Sequence, residues 1–237
     1  MNDRQPTTAI IAAAGIGSRM HAERAKQMLE LGGVPLLLHT LDRFEECQSI
    51  DQIVLVLQPD LTAEVLGMIS RHGLKKISRV VAGGPTRQDS VFHGIKVLRG
   101  DDDSIVAIHD AARPFVRPSE IQAVVERAKS TGAAILALPA TDTIKQVKSG
   151  RIQKTLERRR IYHAQTPQAF RLSVIRNAYE RAQSDGFSAT DDSQLVERLG
   201  TRVAVVEGSP LNIKITRPWD LRLAEVILAD YFAVAAI

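Results

Sequence analysis

Six short apolar runs of β type alternate with amphipathic segments along this chain, and that alternation admits few folds. The runs are Ala9–Ala13, Gln52–Leu57, Ile77–Val81, Ile105–His109, Ala133–Leu138 and Arg202–Val206. Helical periodicity places helices at Pro35–Phe44, Leu61–His72, Arg87–Leu98, Ser119–Ser130, Leu172–Arg181, Asp192–Leu199 and about Pro218 to Phe232. Strands that are apolar on both sides belong to a sheet covered on both faces, with the helices as crossovers. The expected class is therefore α/β: a mostly parallel twisted sheet with helices on both faces, Rossmann-like in plan. Right-handed crossovers bring the loops that follow the strands to one edge, where such sheets bind ligands.

The first of those loops is the most distinctive. Ala12-Ala13-Ala14-Gly15-Ile16-Gly17-Ser18-Arg19-Met20 follows the first run, and Lys26 comes seven residues after Arg19. Gly15 and Gly17 are free to take positive φ, so their N–H groups can line a concavity for anionic oxygens. Arg19 and Lys26 add two cations, which suits a triphosphate better than a neutral ligand. The loop lacks the G-x-x-x-x-G-K-[ST] of a P-loop. His21 stands where a dinucleotide fingerprint needs its third glycine. Taken alone, it also reads as an ordinary tight turn.

Composition narrows the partners. The 237 residues carry a net charge of +4 with only 4% aromatics, and the basic residues are scattered. Anionic small substrates fit that balance, whereas a nucleic-acid stacking platform needs more aromatic rings. Cys47 is the only cysteine, which excludes an internal disulfide and a cysteine zinc cluster; it reads as a small packed side chain at a helix end. No run approaches a membrane span, and Met1 to Thr8 lacks the apolar core of a signal peptide. A cytoplasmic protein that binds neither nucleic acid nor membrane is expected.

One segment breaks the alternation. Asp142 to Lys148 and Arg151 to Leu156 alternate polar and apolar residues around Ser149-Gly150, the pattern of a β-hairpin. Its faces are too polar for a core, so it leans either on another subunit or on its own domain.

Three further loops carry chemistry. Gly83-Gly84-Pro85-Thr86-Arg87-Gln88-Asp89-Ser90-Val91 brings backbone close to a planar base edge, with Ser90 adding a hydroxyl. It also reads as a strand-to-helix turn with Asp89 and Ser90 in the first helical turn. His109-Asp110-Ala111-Ala112-Arg113-Pro114 ends a strand on an acid suited to a sugar hydroxyl or Mg²⁺; Asp110 is the one possible metal ligand. Arg113 suits a phosphate or a pair with Asp110, and His109 reads as packed. Lys214 lies between Ile213 and Ile215, an odd place for a solvated lysine, and Trp219 is expected to pack the last helix on the sheet.

Together these residues resemble the 2-C-methyl-D-erythritol 4-phosphate cytidylyltransferase family. The shared set is Ala-Ala-Gly-x-Gly-x-Arg-Met, Lys26-Gln27, Gly-Gly-x-x-Arg-x-Asp-Ser-Val, His-Asp-Ala-Ala-Arg-Pro and Asp-Thr-x-Lys. Gln165 to Gln168, Thr190 to Asp192 and Asn-Ile-Lys-x-Thr complete it. The resemblance runs in order from about Thr8 to Phe232. It implies a nucleotidyltransferase fold as a single domain over 1–237, with a β-arm at about 141–160. It also implies transfer from CTP to methylerythritol phosphate with Mg²⁺, in a homodimer joined through the arm.

By the same resemblance, Arg19 and Lys26 stabilise charge on the triphosphate. Ala13, Ala14, Gly84 and Ser90 surround the nucleotide, with Gly15 and Gly17 in its loop. Asp110, Arg113, Thr166, Thr190 and Lys214 face the methylerythritol phosphate. Thr143 and Arg158 reach a partner's site, and Arg158 and Lys214 hold the nucleophile at attack distance. Arg159 and Arg160 match nothing and read as surface. Pro85 stands where some members carry a polar residue, so no side-chain contact to the base is carried over at that position. The rival readings are a ribitol-5-phosphate cytidylyltransferase, a sugar-1-phosphate nucleotidyltransferase and a non-catalytic nucleotide-sensing module. The Ala-Ala-Ala-Gly and His-Asp-Ala-Ala-Arg loops favour methylerythritol phosphate over ribitol phosphate.

Overall fold

A computed structural model describes residues 6–15 and 25–235. Its elements in chain order are β1 (Thr8–Ala13), β2 (Glu30–Leu31), β3 (Val34–Pro35), α1 (Leu36–Glu46), β4 (Gln52–Leu57), α2 (Thr62–His72), β5 (Ile77–Ala82), α3 (Arg87–Lys96) and β6 (Ile105–Asp110). There follow α4 (Pro118–Thr131), β7 (Ala133–Pro139), β8 (Lys145–Lys148), β9 (Arg151–Thr155), β10 (Tyr162–Arg171), α5 (Leu172–Asp185), α6 (Asp192–Arg198), β11 (Ala204–Glu207) and α7 (Pro218–Ala235). The main sheet has seven strands in the order β11-β7-β10-β6-β1-β4-β5. All its pairings are parallel except those of β10, which runs against both β6 and β7.

The period of two in a strand sends alternate side chains to opposite faces. Ala9, Ile11 and Ala13 of β1 meet Leu37, Leu41 and Phe44 of α1, Val65 of α2 and Val124 of α4 in one buried cluster. Ile10 of the same strand points the other way, among Val91 and Ile95 of α3, Ile175 of α5 and Val196 of α6. Both layers are dry: Ile10, Ile11 and Phe44 are fully buried. At about 1.5–3 kcal/mol for each large apolar side chain, these two layers hold the sheet rigid beneath its ligand edge. Cys47 is buried at the end of α1, as its sequence position implied.

One strand was not predicted and one expectation needs correcting. The sequence reading places no strand at β10, whose centre Gln165-Thr166-Pro167-Gln168 is polar and holds a proline. In the sheet, the pairing with β7 jumps between Ala164 and Gln168, so Pro167 falls in a bulge where no ladder bond is required of it. The buried amides are satisfied: Gln165 donates to Ser209 O at 2.9 Å, and Gln168 donates to Asp191 at 2.9 Å. Contrary to expectation, Trp219 does not pack α7 on the sheet. It is 68% exposed, with Arg222 stacked over its ring. α7 instead buries Ala224 and Ile227 against Leu31, Leu36, Phe115 and Ile215, a third cluster beside the β2–β3 pair.

The hairpin at β8–β9 is present, with Ser149 and Gly150 both at positive φ (50° and 75°) in the turn. Every residue of its two strands is exposed, including the cross-strand neighbours Val147 and Ile152. It therefore stands away from its own domain rather than folding back on it.

Candidate active site

The carboxyl ends of β1, β4, β5 and β6 converge on a cavity of about 400 Å³. Ala12 pairs with Asp110, so the loop after β1 and the loop after β6 leave the sheet side by side. Between the parallel strands β1 and β6 the order of strand addition switches from one side of the sheet to the other, the place where open α/β sheets bind ligands.

Close packing explains the glycine loop after β5. A Cβ on Gly83 would lie 2.2 Å from the Ala14 Cβ, and one on Gly84 would lie 2.5 Å from the Asp89 Cβ. The need is for close approach, since neither glycine has positive φ. Gln58, just after β4, donates to Ala14 O at 3.1 Å and ties down the loop after β1 that Gly83 packs against. The Ser90 hydroxyl accepts from Gly84 N–H at 3.0 Å and donates to Thr86 O at 2.8 Å, so it holds the turn. Thr86 and Asp89 close a capping box at the start of α3. Gly15 departs from expectation: its φ is not positive, and among the described residues nothing lies within 4 Å of where a Cβ would point.

The charge in the site is organised around Asp110. Arg87 Nε donates to Asp110 Oδ1 at 2.8 Å, and Lys214 Nζ pairs with Oδ2 at 2.6 Å. Burial raises the carboxyl pKa, but Arg87 and Lys214 outweigh it and hold it well below the usual carboxylate range. Lys214 reaches Asp110 because its strand-like segment alternates: Ile215 is fully buried in the α7 cluster, and its N–H donates to Ala112 O at 2.9 Å. The odd flanking isoleucines are thus the anchor. The expected alternative of an Arg113–Asp110 pair is not found. Arg113 donates from its guanidinium to Asn212 O at 2.7 Å, with its Nε buried and unpartnered.

His109 lies fully buried under this cluster. Its Nε2 faces Arg113 O at 3.1 Å, a pure acceptor, so Nε2 carries the proton. Nδ1 then accepts from the Thr166 hydroxyl at 3.0 Å, and that hydroxyl accepts from Asp110 N–H at 3.1 Å. Burial pushes the imidazole down to about 3 from an ordinary 6.5. The unfolded chain takes up a proton near pH 6.5 that the folded state refuses. Stability is therefore full above that value and falls as pH drops toward 3. Between pH 6.5 and 4.5 the loss from this histidine is about 2–3 kcal/mol. Urea unfolding at several pH values should show His109→Gln with a flatter profile over that window; equal slopes would refute this origin.

The structure brings Ala13, Ala14, Gly15, Lys26, Gly84, Ser90, Asp110 and Lys214 to the cavity wall. Arg113 and Thr166 lie behind it, within the Asp110 support. Thr190 is exposed at the start of α6, donating to Gln194 at 2.7 Å. Thr143 and Arg158 stand on the exposed arm, where Arg158 donates to Thr141 O at 2.8 Å. Arg159 and Arg160 are exposed, as expected of surface residues. Gly17 and Arg19 lie outside the described residues. Sequence reasoning assigned no role to Arg87, Asp192 or Tyr179. The signal for Arg87 was its fixed place three residues after the glycine pair. Asp192 was marked only as the last residue of the Thr190–Asp192 motif, with no role, and Tyr179 carried no signal.

Asp110 does not fit a direct metal ligand, since each carboxylate oxygen is already engaged by a cation. Among the described residues no group of three or more His, Cys, Asp or Glu is placed to hold a metal ion.

Comparison with known proteins agrees with this geometry. Residues 7–230 match the 2-C-methyl-D-erythritol 4-phosphate cytidylyltransferase family. Proteins of that name from Syntrophus aciditrophicus and Halalkalibacterium halodurans are 48% and 45% identical. The first match covers 93% of this chain and 94% of the relative, the second 93% and 96%. The crystal structure of 4-diphosphocytidyl-2C-methyl-D-erythritol synthase from Anaerococcus prevotii superposes with a TM-score of 0.84 at 33% identity, covering 95% of this chain and 96% of that one. The 2-C-methyl-D-erythritol 4-phosphate cytidylyltransferase of Thermus thermophilus gives 0.76 at 34% identity, over 93% and 98%. With its motifs in order, its sheet topology and its cationic cavity at the β1–β6 edge, the chain belongs to the 2-C-methyl-D-erythritol 4-phosphate cytidylyltransferase family.

Proposed function

We infer that this cytidylyltransferase transfers the cytidylyl group of CTP to 2-C-methyl-D-erythritol 4-phosphate in isoprenoid precursor biosynthesis. The products are 4-diphosphocytidyl-2-C-methyl-D-erythritol and pyrophosphate. One observation carries the reading: a cavity walled by the Ala13-Ala14-Gly15 backbone and Gly84 has Lys26 and the Asp110-held Lys214 on its lining. Backbone at close quarters suits a nucleotide, and the lysines suit two anions that must be brought together.

The substrate phosphate is already an oxyanion at neutral pH, so it attacks the α-phosphorus without a general base. The site is consistent with that demand. His109 is kept neutral and committed to Thr166 and Arg113, and Ser90 spends its proton on Thr86. The obstacle is repulsion between anions and the charge that grows on pyrophosphate. Fixed cations meet both, and their charge needs no reorganisation during the step. In this reading Lys26, with Arg19, stabilises the triphosphate, while Lys214 orients the attacking phosphate.

The remaining assignments also belong to the proposal. Thr143 and Arg158 serve the site of a second copy in a homodimer, which the outward-standing arm supports. Arg113, Thr166 and Thr190 form the methylerythritol phosphate side, Thr166 through its support of Asp110. Mg²⁺ would accompany the triphosphate and offset part of its charge. Among the described residues no helix is long and apolar enough to cross a membrane; the proposed location is the cytoplasm.

The test is pyrophosphate release from CTP and Mg²⁺ with methylerythritol 4-phosphate or ribitol 5-phosphate. Release with the first alone is expected. Release with ribitol phosphate instead would replace the substrate, and CTP binding without release from either would replace the enzyme by a sensor.

A further inference from the structure

Arg87 lines the cavity, yet each of its three guanidinium nitrogens donates to a protein carboxylate. Nη1 and Nη2 donate to the two oxygens of Asp192 at 3.0 and 2.8 Å, while Nε donates to Asp110 at 2.8 Å. Asp192 is fully buried at the start of α6 and also accepts from the Tyr179 hydroxyl of α5. Burial and the adjacent Asp192 hold that phenol well above its ordinary pKa, so it stays a donor. A guanidinium is planar, and three bonds to two carboxylates along two of its edges leave it one orientation. That orientation sets Asp110 Oδ1, which leaves Oδ2 to hold Lys214 Nζ at 2.6 Å. Neither Asp192 nor Tyr179 reaches the cavity lining.

We propose that Asp192 and Tyr179 are positioning residues for the transfer: through Arg87 they hold Asp110, and through Asp110 they hold Lys214 at the cavity. The inference rests on the reading of Lys214 as the contact to the attacking phosphate. The physical need is clear from the exposure of Arg87, whose side chain is 31% accessible beside a site for highly charged anions. With Nη1 and Nη2 unclaimed, it would take a phosphate oxygen itself and release Asp110 to turn. Bidentate pairing to a buried carboxylate withholds it from substrate.

The experiment compares full-length Asp192→Asn, Tyr179→Phe, their double variant and Lys214→Ala, measuring kcat, both KM values and thermal unfolding. Asp192→Asn should raise KM for methylerythritol phosphate about tenfold while KM for CTP stays within about twofold, the split that misplacing one substrate contact produces. Tyr179→Phe should give a smaller rise of the same kind. Because Tyr179 acts only through Asp192, the double variant should be no worse than Asp192→Asn alone. Unchanged KM values in both variants, or equal rises for both substrates, would overturn the inference. Lys214→Ala separates the two levels: if it leaves KM and kcat at wild-type values, the site reading itself fails. If Asp192→Asn does not fold, Tyr179→Phe, which removes one hydroxyl, decides alone.

Discussion

Lys26→Ala should lower kcat by about 10²–10³-fold while the protein folds and melts as wild type. Lys26 opens the short helical turn Lys26–Met28, which carries it to the wall of the cavity that Asp110 also lines. Its neighbours Gln27 and Met28 are buried and fix that turn. Removing the ammonium therefore removes a charge held in place rather than a packing element. The effect should appear in kcat more than in KM for CTP, because charge on the leaving pyrophosphate is greatest in the transition state. Lys26→Arg should recover part of the rate. Steady-state pyrophosphate release with circular dichroism as a fold control is the measurement. A folded Lys26→Ala with full turnover would remove the electrostatic mechanism.

Arg87→Met should destabilise the protein by about 3 kcal/mol, the lower part of the range for breaking a buried pair, because one flank of Arg87 meets water. The cost comes from the partners left behind. Asp192 has no access to solvent, and Asp110 keeps only Lys214. Adding Asp192→Asn to Arg87→Met should restore part of the loss, since an amide costs less to bury than an unpaired carboxylate. Urea unfolding of the single and double variants decides it. If the double variant is the less stable by the sum of both single losses, the carboxylate is not the source of the cost.

Much of this was readable from residue order. The strands β1, β4, β6 and β7 were readable because a buried parallel strand has no polar face; β5, at the sheet edge and partly exposed, was read from its apolar residues alone, and the predicted ends of all five fall within a residue of those observed. Lys214 was legible because two isoleucines cannot flank a lysine in extended chain without sending it the opposite way. Asp89 was legible because capping is local: Thr86 and Asp89 are three residues apart. The glycines after β5 are explained by close packing, whereas Gly15, after β1, does not use the positive φ that its residue type allows.

The sequence by itself determined the layers and the edge where the site lies, since periodicity and turn chemistry act within a few residues. Only the tertiary structure decided which charges meet. Arg87 and Asp192 are 105 residues apart, and Asp110 and Thr166 are 56 apart. No local rule links such pairs; they meet because β10 enters the sheet against the grain beside β6. Its polar centre, where the sequence reading places no strand, survives burial only because Gln165, Thr166 and Gln168 find partners that the assembled fold supplies.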